Sequence, residues 1–403
     1  MTKTPLRALF AHNNFVRFLG ARFLGITANQ MLMVAVAWHM YELTSSAWDL
    51  GLVGLFQFIP ALLMTLPAGH VADRMHRGRL FAACMGVQAL VSGLLFWSAV
   101  DGFASRELML GVSVALGLAR AFQMPAQQAL TPLLVPVSLL QQAVTVSSSS
   151  MQVAIIGGPA LGGILFAVGT SAVYAACALM LCVACVLSLI VRYKHHIFEE
   201  AVSWTSAMAG VVFVWQNKIL LGATSLDLFA VLLGGATALL PIYAKDILHT
   251  GPEGLGLLRA APAMGALLMS FVLMRWPLQR HVGYSLLAGV ALFGGATIVF
   301  GFSNHFGLSM LALAITGAGD NISVVTRLTL MQLQTPDHIR GRVSAVNSIF
   351  IGASNQLGEF ESGAVAALWG PVVSVVSGGI GTVLIALAWL KLFPALAKRD
   401  RMQ

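Results

Sequence analysis

Apolar runs of about twenty residues or more, each stopped by Gly, Pro, Asn or charged residues, recur along the whole chain. A run of that length is what an α-helix needs to cross a hydrocarbon core about 30 Å thick. The runs predict twelve helices, α1 to α12. The first six cover residues 15–41, 48–70, 79–100, 106–130, 137–168 and 171–191. The second six cover residues 219–243, 255–275, 282–301, 306–331, 341–367 and 371–393. Between the two sets lies the most polar long stretch of the chain, Arg192 to Glu200. After it, Trp204, Met208, Val211 and Trp215 recur at helical spacing before Asn217 and Lys218, which predicts a short amphipathic helix at the membrane interface. The expectation is an all-α membrane protein: a six-helix half over residues 1–191, a cytoplasmic linker over 192–217, and a second six-helix half over 218–403.

Composition supports this reading. The chain is 58% hydrophobic and 9% charged, with a mean hydropathy of +0.84, whereas a soluble domain carries roughly 25% charge. Its net charge of +8 does not point to nucleic acid, because the basic residues sit between apolar runs rather than along one solvated face. With both termini in the cytoplasm, eighteen of the 23 Lys and Arg fall inside or at inner helix ends, Arg74, Arg77, Arg79, Arg275, Arg327, Arg340 and Arg342 among them. That is a strong positive-inside bias, and an odd helix count would scatter it. Arg106, Lys245 and Arg259 fall near the outer side, the last positioned to snorkel to the headgroups. All four cysteines lie in apolar runs, so the Cys182-x-x-Cys185 spacing reads as membrane-helix packing rather than a redox pair. The first apolar stretch follows Arg17, is long enough to span and lacks a small-residue cleavage site, so it is expected to remain in the mature protein.

The two halves use one pattern twice. Arg120 in α4 precedes Gln127, Thr131-Pro132 and the Gly-rich α5; Arg327 in α10 precedes Gln334, Thr335-Pro336, Arg340-Gly341-Arg342 and the Gly-rich α11. A repeated half suits a transporter whose two bundles rock around a site at their interface.

Between α2 and α3 stands Gly69-His70-Val71-Ala72-Asp73-Arg74-Met75-His76-Arg77-Gly78-Arg79. It resembles the loop signature of the major facilitator superfamily, a Gly, an Asp four residues on, then a basic cluster, and departs from it at His76 and Gly78. A carboxylate there can cap a helix amino end while the arginines bind carboxylates or phosphates, so Gly69, Asp73, Arg74 and Arg77, with Arg340 and Arg342, are expected to form a conformational latch. Arg120 with Gln123 is similar to the buried arginine motif of the same superfamily, with Met124-Pro125 departing from it. Gly157-Gly158-Pro159-Ala160-Leu161-Gly162-Gly163 is similar to the helix motif of its exporter and antiporter branches, where Gly158, Pro159 and Gly162 would act as a hinge or seal. The stretches around Asp227, Gly234-Gly235, Arg259, Arg340-Gly341-Arg342 and Gly352 to Glu359 resemble the enterobactin exporter-like branch over nearly the whole chain.

The charges inside predicted helices are Arg22 in α1, Arg120 in α4, Asp227 in α7, Asp320 in α10, and Glu359 and Glu361 in α11. An isolated charge at bilayer depth costs about 2.5 to 3.5 kcal/mol on the most lenient scale, so each must face a partner or a cavity. The resemblance implies that α1, α4, α7 and α10 line the central cavity. Arg22 and Arg120 are then expected either to pair with Asp227 and Asp320 across it, or to leave a carboxylate free to take up and release a proton. Asn29, Gln30, Gln123 and Asn321 add polar groups on the same helices. Glu359 and Glu361, two apart, point about 200° from each other and cannot share one cavity; one is expected to meet Asn355 or Gln356.

No metal-ligand spacing, phosphate loop or nucleophile-base arrangement is present, so no enzyme activity, metal or cofactor is expected. The resemblance implies a secondary active transporter of a bacterial inner membrane, acting as a monomer in the lipid bilayer. Protons would drive export of a siderophore, drug or other small organic molecule. An importer or lipid flippase on the same fold, and a non-transporting membrane sensor, are the alternatives.

Overall fold

The computed structural model describes residues 6–192, 204–278, 280–336 and 339–400, all in helices, turns and short connections. The expected helices are present. They are α1 Asn13–Thr44, α2 Ala47–Arg74, α3 Arg77–Asp101, α4 Arg106–Leu130, α5 Leu140–Val168 and α6 Thr170–Ile190. Then follow α7 Lys218–Leu233, α8 Pro252–Arg275, α9 Val282–Phe302, α10 Phe306–Gln334, α11 Arg340–Trp369 and α12 Pro371–Leu392. Among the described residues, eleven segments are long and apolar enough to cross a membrane. The twelfth, α11, is 30 residues long but carries two arginines and two glutamates. Apolar side chains such as Leu90, Leu179, Leu268 and Leu384 are left exposed, as suits helices solvated by acyl chains.

Helix ends follow local chemistry. Ser105 caps α4 by accepting from Leu108 N at 3.2 Å, and Asn217 caps α7 by accepting from Ile219 and Leu220 N. His76, the departure from the family pattern, is itself the cap of α3: its ring nitrogen accepts from Arg79 N. Two expectations need revision. A 3-10 turn over Thr131–Leu133 extends the fourth span, and a second over Val137–Leu139, behind Pro136, takes the first three residues of the expected fifth, so α5 begins at Leu140. The seventh span is not one helix to residue 243: α7 stops at Leu233, passes through a 3-10 turn over Ala236–Leu239, and ends in a π-turn over Tyr243–Ile247. Gly234 and Gly235 lie at the break, with Gly235 directly against the Gly358 carbonyl, where a side chain has no room. Tyr243 donates to the Gly301 carbonyl at 3.0 Å, tying the continuation to α9.

By contacts the chain forms two compact units. One comprises residues 1–43, 59–202 and 251–256; the other comprises 44–58, 203–250 and 257–403. Each unit is built alike. In the first, α3 packs chiefly on α6 and α4; in the second, α9 packs chiefly on α12 and α10. The amphipathic helix expected after the linker is present at Trp204–Gln216; Gly210 rests on the Arg342 backbone while Met208 and Trp215 stay exposed. Residues 193–203, with His195 and His196, lie outside the described residues.

In the first unit the Gly-rich face of α5 allows close helix approach. A Cβ at Gly162 would lie 2.9 Å from Met31 Cα, and one at Gly158 would lie 3.1 Å from the Thr27 carbonyl, both on α1. Gly163 and Gly256 meet on the other side of α5. Lipid offers no hydrophobic drive between helices, so such small-residue contacts supply much of the packing. Gly157, by contrast, faces open space. Gly162→Leu should therefore cost about 1 to 3 kcal/mol of stability through overpacking, whereas Gly157→Ala should change it by less than about 0.5 kcal/mol. Thermal unfolding in detergent, followed by tryptophan fluorescence, measures both.

Candidate functional site

The most deeply enclosed charge belongs to the second unit. Arg327 in α10 is 1% exposed. Its Nη2 pairs with Asp227 Oδ2 of α7 at 3.1 Å, and its Nη1 donates to Asn347 Oδ1 of α11 at 2.6 Å. Three helices thus converge on one guanidinium. Asp227 and Asn347 are themselves buried. Arg327 was counted among the inner-end topogenic charges, and the structure corrects that: it sits two turns inside α10, in an ion pair. The signal that could have found it was the repeat, since Arg327 stands seven residues before Gln334 as Arg120 stands before Gln127.

Asp320 lies seven residues before Arg327, two turns along the same face of α10, and is within electrostatic range of both Asp227 and Arg327. Two carboxylates therefore stand near one buried cation, one in direct contact and one in reserve. Thr224, one turn before Asp227, and Ser323, one turn before Arg327, are buried, and their hydroxyls have no hydrogen-bond partner among the described residues; nor does Arg327 Nε.

In the first unit the two in-helix arginines meet sulfur. Arg22 Nη2 lies 3.5 Å from Met151 Sδ of α5, and Arg120 Nη2 lies 3.4 Å from Met33 Sδ of α1. The expected pairing of aspartates with arginines of the first half is not the contact made by Asp227, whose partner is Arg327 of its own unit. Gln123 does not stand free: Gln88 Nε2 of α3 donates to its Oε1 at 2.7 Å, a buried bridge between neighbouring helices. Asn29 and Gln30 are half-buried on α1, with Gln30 lying over Gly158. Asn321 donates to Ser270 Oγ of α8 at 3.0 Å.

On α11 the two glutamates diverge as their spacing requires. Glu361 accepts from the adjacent Ser362 hydroxyl at 3.4 Å, while Glu359 points toward Gly54 beside Gln356. Asn355 binds the Ile351 carbonyl of its own helix. Arg259, expected to snorkel outward, is half-buried and within electrostatic range of Glu359. At the α2–α3 turn, Arg77 is buried and its Nε donates to the Ala72 carbonyl, while Arg74 and Arg342 are exposed. Gly69 has open space where a side chain would start. The side chains of Asp73 and Arg340 lie outside the described residues. Among the described residues, no group of three His, Cys, Asp or Glu comes together as a metal site would require.

A family described as transmembrane secretion effector matches residues 4–402. The chain is 26% identical to the enterobactin exporter EntS of Citrobacter koseri, over 98% of this chain and 95% of that protein. It is 26% identical to the multidrug efflux pump Tap of Mycolicibacterium fortuitum, over 85% and 88%. A crystal structure of a variant of the nucleoside transporter NupG superposes with a TM-score of 0.74 over 94% of this chain and all of that one, at 14% identity, which establishes the major facilitator fold.

Removing one member of a buried ion pair strands the other, at about 3 to 5 kcal/mol, whereas replacing both with apolar residues is often neutral. Asp227→Leu and Arg327→Met should therefore each be strongly destabilising alone, and the two combined should recover most of the loss. Chemical or thermal unfolding of the two single variants and the double variant completes the cycle.

Proposed function

Since the chain belongs to the transmembrane secretion effector family of the major facilitator superfamily, whose members are transporters and not enzymes, we propose that it is a proton-driven exporter of a small organic molecule. The relatives named as exporters and efflux pumps support the outward direction. The observation that carries the coupling is the Asp227–Arg327–Asn347 cluster with Asp320 two turns away. A proton added to Asp227 cancels its charge and releases Arg327, which keeps Asn347 and turns toward Asp320. Loss of that proton restores the original pair. The helix faces joining α7, α10 and α11 then have two arrangements separated by one proton, which is the bistable element that alternating access needs.

Alternating access by the two halves, residues 1–191 and 218–403, would follow from this exchange. The turn with Asp73, Arg74 and Arg77, and its counterpart with Arg340 and Arg342, would latch one arrangement, and the close packing at Gly158, Pro159 and Gly162 would serve as the hinge. One proton moved inward supplies about 2.3 kcal/mol per 100 mV of membrane potential, enough for modest uphill export. The positive-inside bias supports a bacterial inner membrane location with both termini in the cytoplasm, and the reading needs only a monomer.

The first assay is siderophore secretion and antimicrobial susceptibility in a deletion strain; export requires that loss of the protein raise cellular accumulation of the affected compound. With that compound in everted vesicles, Asp320→Asn and Asp227→Asn should reduce uphill transport at least tenfold while downhill exchange continues. Uphill transport that survives either substitution, or survives a protonophore, refutes the coupling.

A further inference from the structure

The two units carry the same framework with opposite charge at one position. Asp227 stands nine residues after the first residue of α7, and Arg22 stands nine residues after the first residue of α1. Arg327 and Arg120 are likewise matched, each in the fourth helix of its half and seven residues before a glutamine. In the second unit the arginine finds its counter-ion in the aspartate. In the first unit the aspartate's place holds a second arginine.

Among the described residues no carboxylate pairs with Arg22. The carboxylates of that half, Glu42, Asp49, Asp73, Asp101 and Glu107, all lie within three residues of a helix end. The partner that the described residues offer Arg22 is the Met151 thioether, a weak acceptor, and Arg22 Nε is buried with none. Ser147, one turn before Met151 on α5, is 2% exposed, and neither its hydroxyl nor that of Ser150 has a partner. On α1, Arg22, Asn29 and Met33 lie along one stripe, at separations of seven and four residues. Met33 is where Arg120 arrives from α4. The unit therefore presents a stripe that begins at Arg22, with an amide farther along it and serine hydroxyls alongside; among the described residues Arg22 Nε and the Ser147 and Ser150 hydroxyls lack a hydrogen-bond partner.

We infer that this stripe is a binding site for an organic anion, and that the transported molecule brings the carboxylate that the first unit lacks. Resting on the transporter reading, the inference narrows the substrate class: a small acid whose charge-bearing oxygens accept from the Arg22 guanidinium and the Ser147 and Ser150 hydroxyls. A guanidinium suits this task because it stays charged and offers a planar fork of donors.

The test uses the full-length protein in uncharged detergent and measures ligand-dependent thermal unfolding. Salicylate, malate and citrate are the probes, with salicylamide as the uncharged control. At least one acid should stabilise the protein in a saturable manner where salicylamide does not. Arg22→Gln should weaken that acid at least tenfold, yet unfold at the same or a higher temperature without ligand, because it loses only a thioether contact. Ser147→Ala should weaken the acid about threefold, and it carries the test if Arg22→Gln does not fold. The inference is overturned if all three acids behave like salicylamide, or if Arg22→Gln lowers the unfolding temperature and leaves acid binding intact, as a structural cation would. It is also overturned if phosphatidylglycerol alone produces the Arg22-dependent shift, which would make the site a lipid-phosphate contact. Binding in detergent involves neither direction nor proton gradient. Its failure removes the anion site and leaves the export reading standing, and loss of uphill flux with binding intact does the reverse.

Discussion

A guanidinium buried within membrane helices must be answered by a counter-charge, by hydrogen-bond acceptors or by a polar cavity, because hydrocarbon offers none. Arg327 obeys this constraint fully. Its two terminal nitrogens engage Asp227 and Asn347, so α7, α10 and α11 converge where the charge requires it. Such a pair is a poor source of net stability, since an apolar replacement of both partners can do as well. Its presence at a convergence of three helices, with a second carboxylate on the same face of α10, fits a switch better than a brace.

The same constraint is met differently in the first unit. Arg22 and Arg120 touch thioether sulfurs, and the neighbouring serine hydroxyls on α5 have no acceptor. A half that doubles an arginine where its counterpart pairs arginine with aspartate has kept the framework and changed the charge. The two proposals thus rest on different residues and different units.

Packing sets the frame in which these charges work. Small residues bring backbones into contact along α5, where Gly158 and Gly162 approach α1 and Gly163 meets Gly256, and at the α7 break, where Gly235 meets Gly358. Lipid adds no hydrophobic drive between helices, so these contacts of small residues hold the backbones together. The break after Leu233 interrupts α7 six residues beyond Asp227, so the helix bearing the aspartate is short and its continuation is independently held by Tyr243.

The twelve helices, their approximate ends, the repeated halves and the bias of basic residues were all legible in the chain, because hydrocarbon imposes one length and one composition on every crossing. The in-helix charges were legible for the same reason: each is an anomaly against an apolar background. Their partners were not. Which face of α10 meets α7 depends on helix rotation and on close contacts at glycines, and no spacing rule reports these. Arg327 therefore read as an inner-end charge until α7 and α11 were seen around it, and Gln123 read as a cavity residue until Gln88 was seen to hold it. The seventh span likewise reads as one helix from its length and hydropathy, although Gly234-Gly235 marks where it breaks; the packing of Gly235 on the Gly358 carbonyl, 123 residues on, is visible only in the tertiary structure. Composition decided what the chain must cross; tertiary packing decided which charges meet, because meeting requires an orientation that local sequence does not encode.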